Sequence, residues 1–263
     1  MKVAILYICT GKYNQFFKGF FESCEKYLLK DIAQLEYYVF TDDMSLSDEA
    51  NVHLIKKECA GFPADSLFRF DMFLQVRQEL EKTDYIYFFN SNAEFKAPVG
   101  KELLPLNGEK LVGAEWPGKR QPFKHLAFYP YERNKHSSAY IPPREDKPYI
   151  YYMGGINGGE AADYLEMAET LSENIHADYE KGIVALVHDE SHINKYFRTH
   201  DCKVLSAEYC FPEEWITCDF SPKIIFRDKV KLDPYFNKGR DYSLKGKLKK
   251  TVSVIYRAIR WYL

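Results

Sequence analysis

Val3-Ala4-Ile5-Leu6-Tyr7-Ile8-Cys9 is an unbroken apolar run, and Thr10-Gly11 ends it. A run of that length without alternation is what a strand buried on both faces of a parallel sheet requires. Working outward, residues 14–28 (NQFFKGFFESCEKYL) place Phe16, Phe17, Phe20, Phe21, Cys24 and Leu28 near helical spacing. Residues 35–40 are β-rich and stop at Thr41-Asp42-Asp43, and residues 52–55 make a short strand. Asp65 or Ser66 is placed to cap a helix over 67–80. Residues 84–89 form a further strand that ends at Asn90-Ser91-Asn92. The order β-α-β-β-α-β predicts an α/β sheet. Ligands of such sheets bind beyond the carboxyl ends of the strands, which marks residues 10–13 and 90–92 as candidate loops.

The rest of the chain is less regular. Residues 116–148 are rich in Pro, Tyr and charge, and read as a long ordered excursion over the site. Residues 149–152 form a strand, and Met153-Gly154-Gly155 with Gly158-Gly159 reads as a strand-loop-helix turn or as a floor for a ligand that side chains would obstruct. Residues 160–181 look helical, and residues 188–196 open another helix. Leu244, Leu248, Val252, Ile255, Ile259 and Tyr262 repeat as a helical stripe at the end. The chain divides into one α/β domain over 1–240, with halves over 1–95 and 96–240, and a basic amphipathic segment over 241–263.

Composition bounds the function. The 263 residues are 46% hydrophobic and 28% charged, the balance of a globular protein. No stretch approaches the ~18–20 apolar residues that span a bilayer. A net charge of −2 argues against general nucleic-acid binding. Residues 241–263 nevertheless hold Lys245, Lys247, Lys249, Lys250, Arg257 and Arg260 against the single acid Asp241. The pattern fits either a helix docked on the main domain or one lying on an anionic membrane. The cysteines, Cys9, Cys24, Cys59, Cys202, Cys210 and Cys218, form no C-x-x-C pair. With no export signal, reduced thiols and a cytoplasmic site, peripheral on the inner face of the membrane, are expected.

His188-Asp189-Glu190-Ser191-His192 sets two histidines four apart, yet it lacks the zincin Glu after the first and the inverted-motif Glu before the second. The other readings are a polar helix start or a carboxylate held in a cleft as nucleophile or charge stabiliser. Asn90 and Asn92 offer only neutral carbonyl oxygens, poor ligands for Mn²⁺ or Mg²⁺.

Together these motifs resemble the family 6 glycosyltransferases, which include the blood-group A and B transferases and the α-1,3-galactosyltransferase. The strings that carry the resemblance are Thr10-Gly11-Lys12-Tyr13, 38–42 (YVFTD), Tyr131-Glu132-Arg133, 139–142 (AYIP), 151–159 (YYMGGINGG), 188–197 (HDESHINKYF) and 205–210 (LSAEYC), in family order. The resemblance implies a GT-A fold and retaining α-1,3 transfer of GalNAc, or less readily Gal, from a UDP-sugar to a galactose-terminated acceptor, with or without fucose. By the same resemblance, Ile8, Cys9, Thr10 and Tyr13 meet uridine, and Arg69 approaches the donor pyrophosphate and sugar. Asn90 and Asn92 stand where the family has metal-binding aspartates, as in bacterial relatives that need no metal, so no cofactor is expected. Met153, Gly154 and Gly155 match the triplet that senses the donor C2 substituent, Asp189 holds donor hydroxyls, and Glu190 is the catalytic carboxylate. Trp116 and Val187 replace the family's His and Trp at the acceptor, and Tyr131 is the further acceptor candidate. Without metal, cations must meet the charge on departing UDP, and Lys12, Arg227, Lys229, Lys231 and Arg240 are the candidates. A binding module without turnover and a metallohydrolase are the alternative classes.

Overall fold

β1 (Lys2–Ile8) forms where the apolar run predicts it, with its five central residues buried. Parallel beside it runs β2 (Gln34–Thr41), with β3 (Val52–Lys56) outside β2, and on the other side of β1 lies β4 (Tyr85–Phe89). The chain thus moves outward to β3 and returns across β1 to β4. That reversal opens a crevice at the carboxyl ends of β1 and β4. The computed structural model describes residues 1–120, 125–215, 219–237, 241 and 243–263, with the side chains of 119 and 120 left out. Arg240 and Cys218 lie outside the described residues.

After β4 the chain passes through β5 (Ala93–Phe95), β6 (Leu111–Glu115), β7 (Tyr152–Glu160) and β8 (Cys202–Leu205). The main sheet has the order β3-β2-β1-β4-β7-β6-β8. β7 is antiparallel to both β4 and β6, and β6 pairs with β8 in parallel. β9 (Phe211–Pro212) and β10 (Ile224–Phe226) join β5 in a small second sheet, in the order β5-β10-β9.

The period of the strand sorts β1 between two cores. Val3, Ile5 and Tyr7 pack with α1 (Phe17–Tyr27) through Phe17, Phe20 and Cys24. Ala4 and Leu6 face the opposite core. That core is built by α2 (Ala64–Leu67), α3 (Arg69–Leu74), α4 (Arg77–Leu80), α5 (Ala161–Glu180) and α6 (Asp189–Thr199). The result is a helix–sheet–helix sandwich. α7 (Lys229–Leu232) and α8 (Leu244–Tyr262) follow the sheets.

Two elements differ from the reading of the sequence. The single helix expected over 67–80 is three short ones, broken at Phe68 (φ −100°, ψ 26°) and Val76 (φ −111°, ψ 20°). α3 buries Arg69, Phe70, Met72 and Phe73, four of its six residues, a face too wide for one straight amphipathic helix on a sheet. Neither Asp65 nor Ser66 caps it, since α2 already opens at Ala64. Asp65 instead accepts from the Gly61 N–H at 2.9 Å and pairs with Lys57 at 2.8 Å. The second difference is the glycine segment, which is no turn but the body of β7, a central strand that takes in only Tyr152 of the strand expected over 149–152. A Cβ at Gly158 would stand 2.2 Å from the Tyr87 ring, so this position pairs with β4 only without a side chain.

Candidate active site

The amino-terminal end of α6 is pinned from several sides. His188, at φ 55°, makes the sharp turn into it. Ser191 Oγ accepts from the Val187 N–H at 3.1 Å, and Glu132 accepts from the Leu186 N–H at 2.5 Å. One turn on, Asn194 Oδ1 accepts from the Tyr152 N–H at 2.8 Å, while its Nδ2 donates to Tyr152 O at 2.8 Å and Glu190 O at 2.9 Å. This clamp sets the first turn of α6 against the start of β7.

Glu190 is the outcome of that placement. Its Oε1 accepts from the Tyr151 hydroxyl at 2.5 Å and its Oε2 from the Gly154 N–H at 2.6 Å. A Cβ at Gly154 would lie 2.8 Å from Glu190 Cβ and 3.1 Å from Arg69 Nη2, so glycine here lets both side chains reach the strand. Arg69 is buried, donates to Gly154 O at 2.9 Å, ion-pairs with Asp189, and lies over the Phe88 ring at 4.4 Å. Burial pulls Arg69 down to about 10, which leaves it protonated at neutral pH. Burial pushes the Glu190 carboxyl up, against the Tyr151 and Gly154 hydrogen bonds and the Arg69 charge, which favour its ionised form. The arrangement is a held carboxylate beside a compensated Arg–Asp pair, able to stabilise developing positive charge or to act as a nucleophile.

The strand register brings this cluster to the crevice. Asn90 N–H donates to Gly155 O at 2.8 Å. Asn90 Nδ2 donates to Asn92 Oδ1 at 3.0 Å, and Asn92 Nδ2 donates to Arg227 O at 2.7 Å. Both amide nitrogens and the Asn92 oxygen are thus used on each other and on backbone. No carboxylate stands in either place, and among the described residues no three His, Cys, Asp or Glu side chains gather as a metal set. The donor set does not fit the hard divalent cation that the GT-A fold commonly carries.

The first loop is braced differently. Gly11 N–H donates to both oxygens of Asp42, at 3.0 and 2.8 Å. Thr10 is buried, with its hydroxyl 3.4 Å from Asp65. Cys9 is fully buried, which pushes its thiol up to about 12, and Ile8 packs toward the second core. Tyr13 meets Phe236 edge-on at 4.8 Å and Lys229 at 5.2 Å, so the segment after β10 covers this loop. Lys12 pairs with Asp233 at 2.7 Å. Arg227 pairs with Glu94 at 2.6 Å and Glu213 at 3.3 Å. Of the cationic candidates, Lys12 and Arg227 have carboxylate partners, and Lys229 and Lys231 both belong to α7.

In the donor triplet, the place beside Gly155 is taken by a ring: a Cβ there would stand 2.7 Å from Phe226. The acceptor candidates also separate. Trp116 is half-buried and touches Tyr129, Tyr151 and Trp215, and Val187 is partly exposed beside the same aromatic cluster. Tyr131 is fully buried among Tyr129, Tyr149, Tyr151 and Trp261, so it supports the cluster from beneath and meets no solvent. The two histidines of the 188–192 string diverge: His188 lies against Phe62, and His192 is buried by Ser138, with its pKa pulled down to about 4. Tyr151, Asn194 and Phe226 went unnamed as site residues in the sequence reading. Asn194 was accessible to it, since it lies one helical turn after Glu190.

Comparison with known proteins gives the same assignment. The family model for glycosyltransferase family 6 matches residues 1–227. The O-antigen biosynthesis glycosyltransferase WbnI of Escherichia coli is 35% identical over 239 residues, covering 90% of this chain and 99% of that protein. The histo-blood group ABO system transferase 1 of Rattus norvegicus is 30% identical, and the globoside alpha-1,3-N-acetylgalactosaminyltransferase 1 of Homo sapiens 28%, each match covering 81% of this chain. The matches take in 61% and 62% of those two proteins. With a seven-strand mixed sheet of GT-A type and the HDES carboxylates at its crevice, the chain belongs to glycosyltransferase family 6.

Proposed function

We propose that the protein transfers GalNAc, and less readily Gal, from the UDP-sugar to the 3-hydroxyl of a galactose-terminated acceptor, with or without fucose, keeping the α configuration and using no divalent metal. The observation that carries this reading is Glu190, held by Tyr151 and Gly154 beside the Arg69–Asp189 pair at the mouth of the crevice. The bond from the sugar C1 to the UDP oxygen breaks with its electron pair leaving to the phosphate. Glu190 faces the positive charge that develops on the sugar ring, and Asp189 and Arg69 hold sugar hydroxyls and pyrophosphate. The acceptor hydroxyl attacks from the face that UDP leaves, and its proton passes to the departing phosphate oxygen. Lys229 and Lys231 supply the charge that a cation otherwise would, where α7 lies by the Tyr13 loop.

Support for GalNAc comes from relatives named for it. Because Phe226 covers Gly155, the contact that sets the donor C2 pocket moves to that ring. Support for metal independence is the neutral pair Asn90 and Asn92. The test is transfer from UDP-GalNAc and UDP-Gal to galactosides with and without 2-fucose, in EDTA. The expected result is GalNAc transfer undiminished by chelation. Activity lost in EDTA and restored by Mn²⁺ would overturn the metal-free reading, and a higher kcat/KM with UDP-Gal would reverse the donor.

A further inference from the structure

α8 presents two faces of different fate. On one, Ala258 and Trp261 are buried in the aromatic cluster around Tyr131 and Tyr151. Trp261 Nε1 donates to Ile141 O at 2.8 Å, and Arg133 lies over the Trp261 ring at 5.0 Å. On the other, Leu244, Leu248, Val252, Ile255 and Ile259 stay 87, 65, 58, 41 and 57% exposed. At 100° per residue the exposed stripe lies about 110° round the helix from Ala258 and Trp261. The amphipathic pattern in the sequence is therefore not explained by docking, because the docked face is a different one. Five large aliphatic side chains in one row on solvent are more than the scattered apolar residues of an ordinary surface.

The chemistry of the border selects the occupant. Residues 244–263 contain six Lys or Arg and no acid. Lys245 falls beside the stripe on the arc away from Trp261, while Lys249 and Arg260 stand farther round the same side, about 100° and 120° from the stripe's centre. An apolar row edged by cations, with aromatic residues at one end, matches an anionic lipid interface, where the aliphatics enter the acyl boundary and the cations meet the headgroups. No helix among the described residues is long and apolar enough to cross a membrane, so the mode is lying on the surface.

We propose that the exposed stripe of α8 docks the enzyme on an anionic membrane, with Trp261 and Ala258 holding the catalytic domain to the helix. Such docking presents the aromatic cluster beside Glu190 to acceptors carried on lipid. The inference concerns a surface, and it stands whichever sugar is transferred.

The experiment is co-sedimentation of the full chain with vesicles of phosphatidylcholine alone and of phosphatidylcholine mixed with phosphatidylglycerol. Binding is expected only to the mixed vesicles, falling with added salt. The variant Leu248→Glu/Ile255→Glu/Ile259→Glu should lose binding by at least tenfold (about 1.4 kcal/mol,) while UDP-sugar hydrolysis and circular dichroism stay unchanged. Lys245→Gln, Lys249→Gln and Arg260→Gln should each weaken it by about fivefold. No binding to the mixed vesicles at low salt, or equal binding by the triple Glu variant, would overturn the proposal. So would self-association that the same variant abolishes in the absence of vesicle binding, which would assign the stripe to a second copy of the chain.

Discussion

At the carboxyl end of β1 the loop is held by exposed or neutral groups: Asp42 under Gly11, and Lys12 paired with Asp233 in solvent. At the start of β7, a short distance across the sheet, three charged side chains are gathered at Gly154, and two of them, Arg69 and Asp189, are buried. An exposed ion pair contributes ~0–1 kcal/mol, because water screens it and its ordering costs entropy. A buried one is weak evidence for net stability, yet removing one partner costs several kcal/mol because the other charge stays stranded. The two loops therefore differ in what a substitution does. Around β1 it trims contacts, while around β7 it uncovers buried charge.

The sharpest contrast lies at Glu190. Glu190→Gln keeps the shape and both hydrogen-bonding positions, since the amide oxygen accepts from the Gly154 N–H and the Tyr151 hydroxyl turns to accept. Only the charge is lost. The expected fall in kcat is about 10²–10⁴, with UDP affinity nearly intact by calorimetry. A kcat near wild type would move the catalytic role elsewhere.

Next comes stability. Arg69→Leu strands Asp189 in the core and should cost about 3–5 kcal/mol in urea unfolding. Lys12→Ala, at the exposed pair, should leave the urea midpoint nearly unchanged. Equal costs for the two would dissolve the contrast between the loops.

The same contrast explains what the sequence could reveal. β1, β2 and β4 declare themselves because their apolar side chains fill two cores, and the residues after β1 and β4 fall at the crevice as the strand order requires. β7 hides because its glycines are set by what presses on it, the Tyr87 ring and the Glu190 and Arg69 side chains, and none of those neighbours is near in sequence. Composition reads such a segment as a turn. Glu190 and Arg69 were legible through family resemblance, whereas Tyr151 and Phe226 act by tertiary contact alone. The spacing of α8 was legible too, but the face it docks was not, since Trp261 finds its partners 120 residues earlier in the chain.

Phe226 offers a smaller effect. Gly155→Ala pushes a methyl group toward a ring that would stand 2.7 Å from it, an overpacking cost of about 1–3 kcal/mol. Phe226→Leu in the same chain should recover part of that loss. If the ring sets the donor pocket, Phe226→Leu alone should move the ratio of GalNAc to Gal transfer more than Gly155→Ala does. A ratio governed by residue 155 whatever stands at 226 would return the pocket to the glycine.

The smallest expected effect isolates the Tyr151 hydroxyl. Burial raises the Glu190 pKa above 4.5, and the hydrogen bond from Tyr151 opposes that rise. Because the folded pKa lies above the unfolded one, the fold binds this proton more readily than the unfolded chain does. The group's contribution to stability is therefore best below pH 4.5 and falls as pH climbs through the folded pKa. Activity runs the other way, since kcat needs the ionised carboxylate and declines when acid protonates it. Tyr151→Phe removes a donor from the ionised form, so the acid limb of kcat should move upward in pH. The ring still packs against Trp116 and Tyr131, which keeps the fold. At a pH well above the limb, kcat should approach that of the parent. A uniform fall in kcat with the limb unmoved would make the hydroxyl a positioning group with no hold on the charge of Glu190.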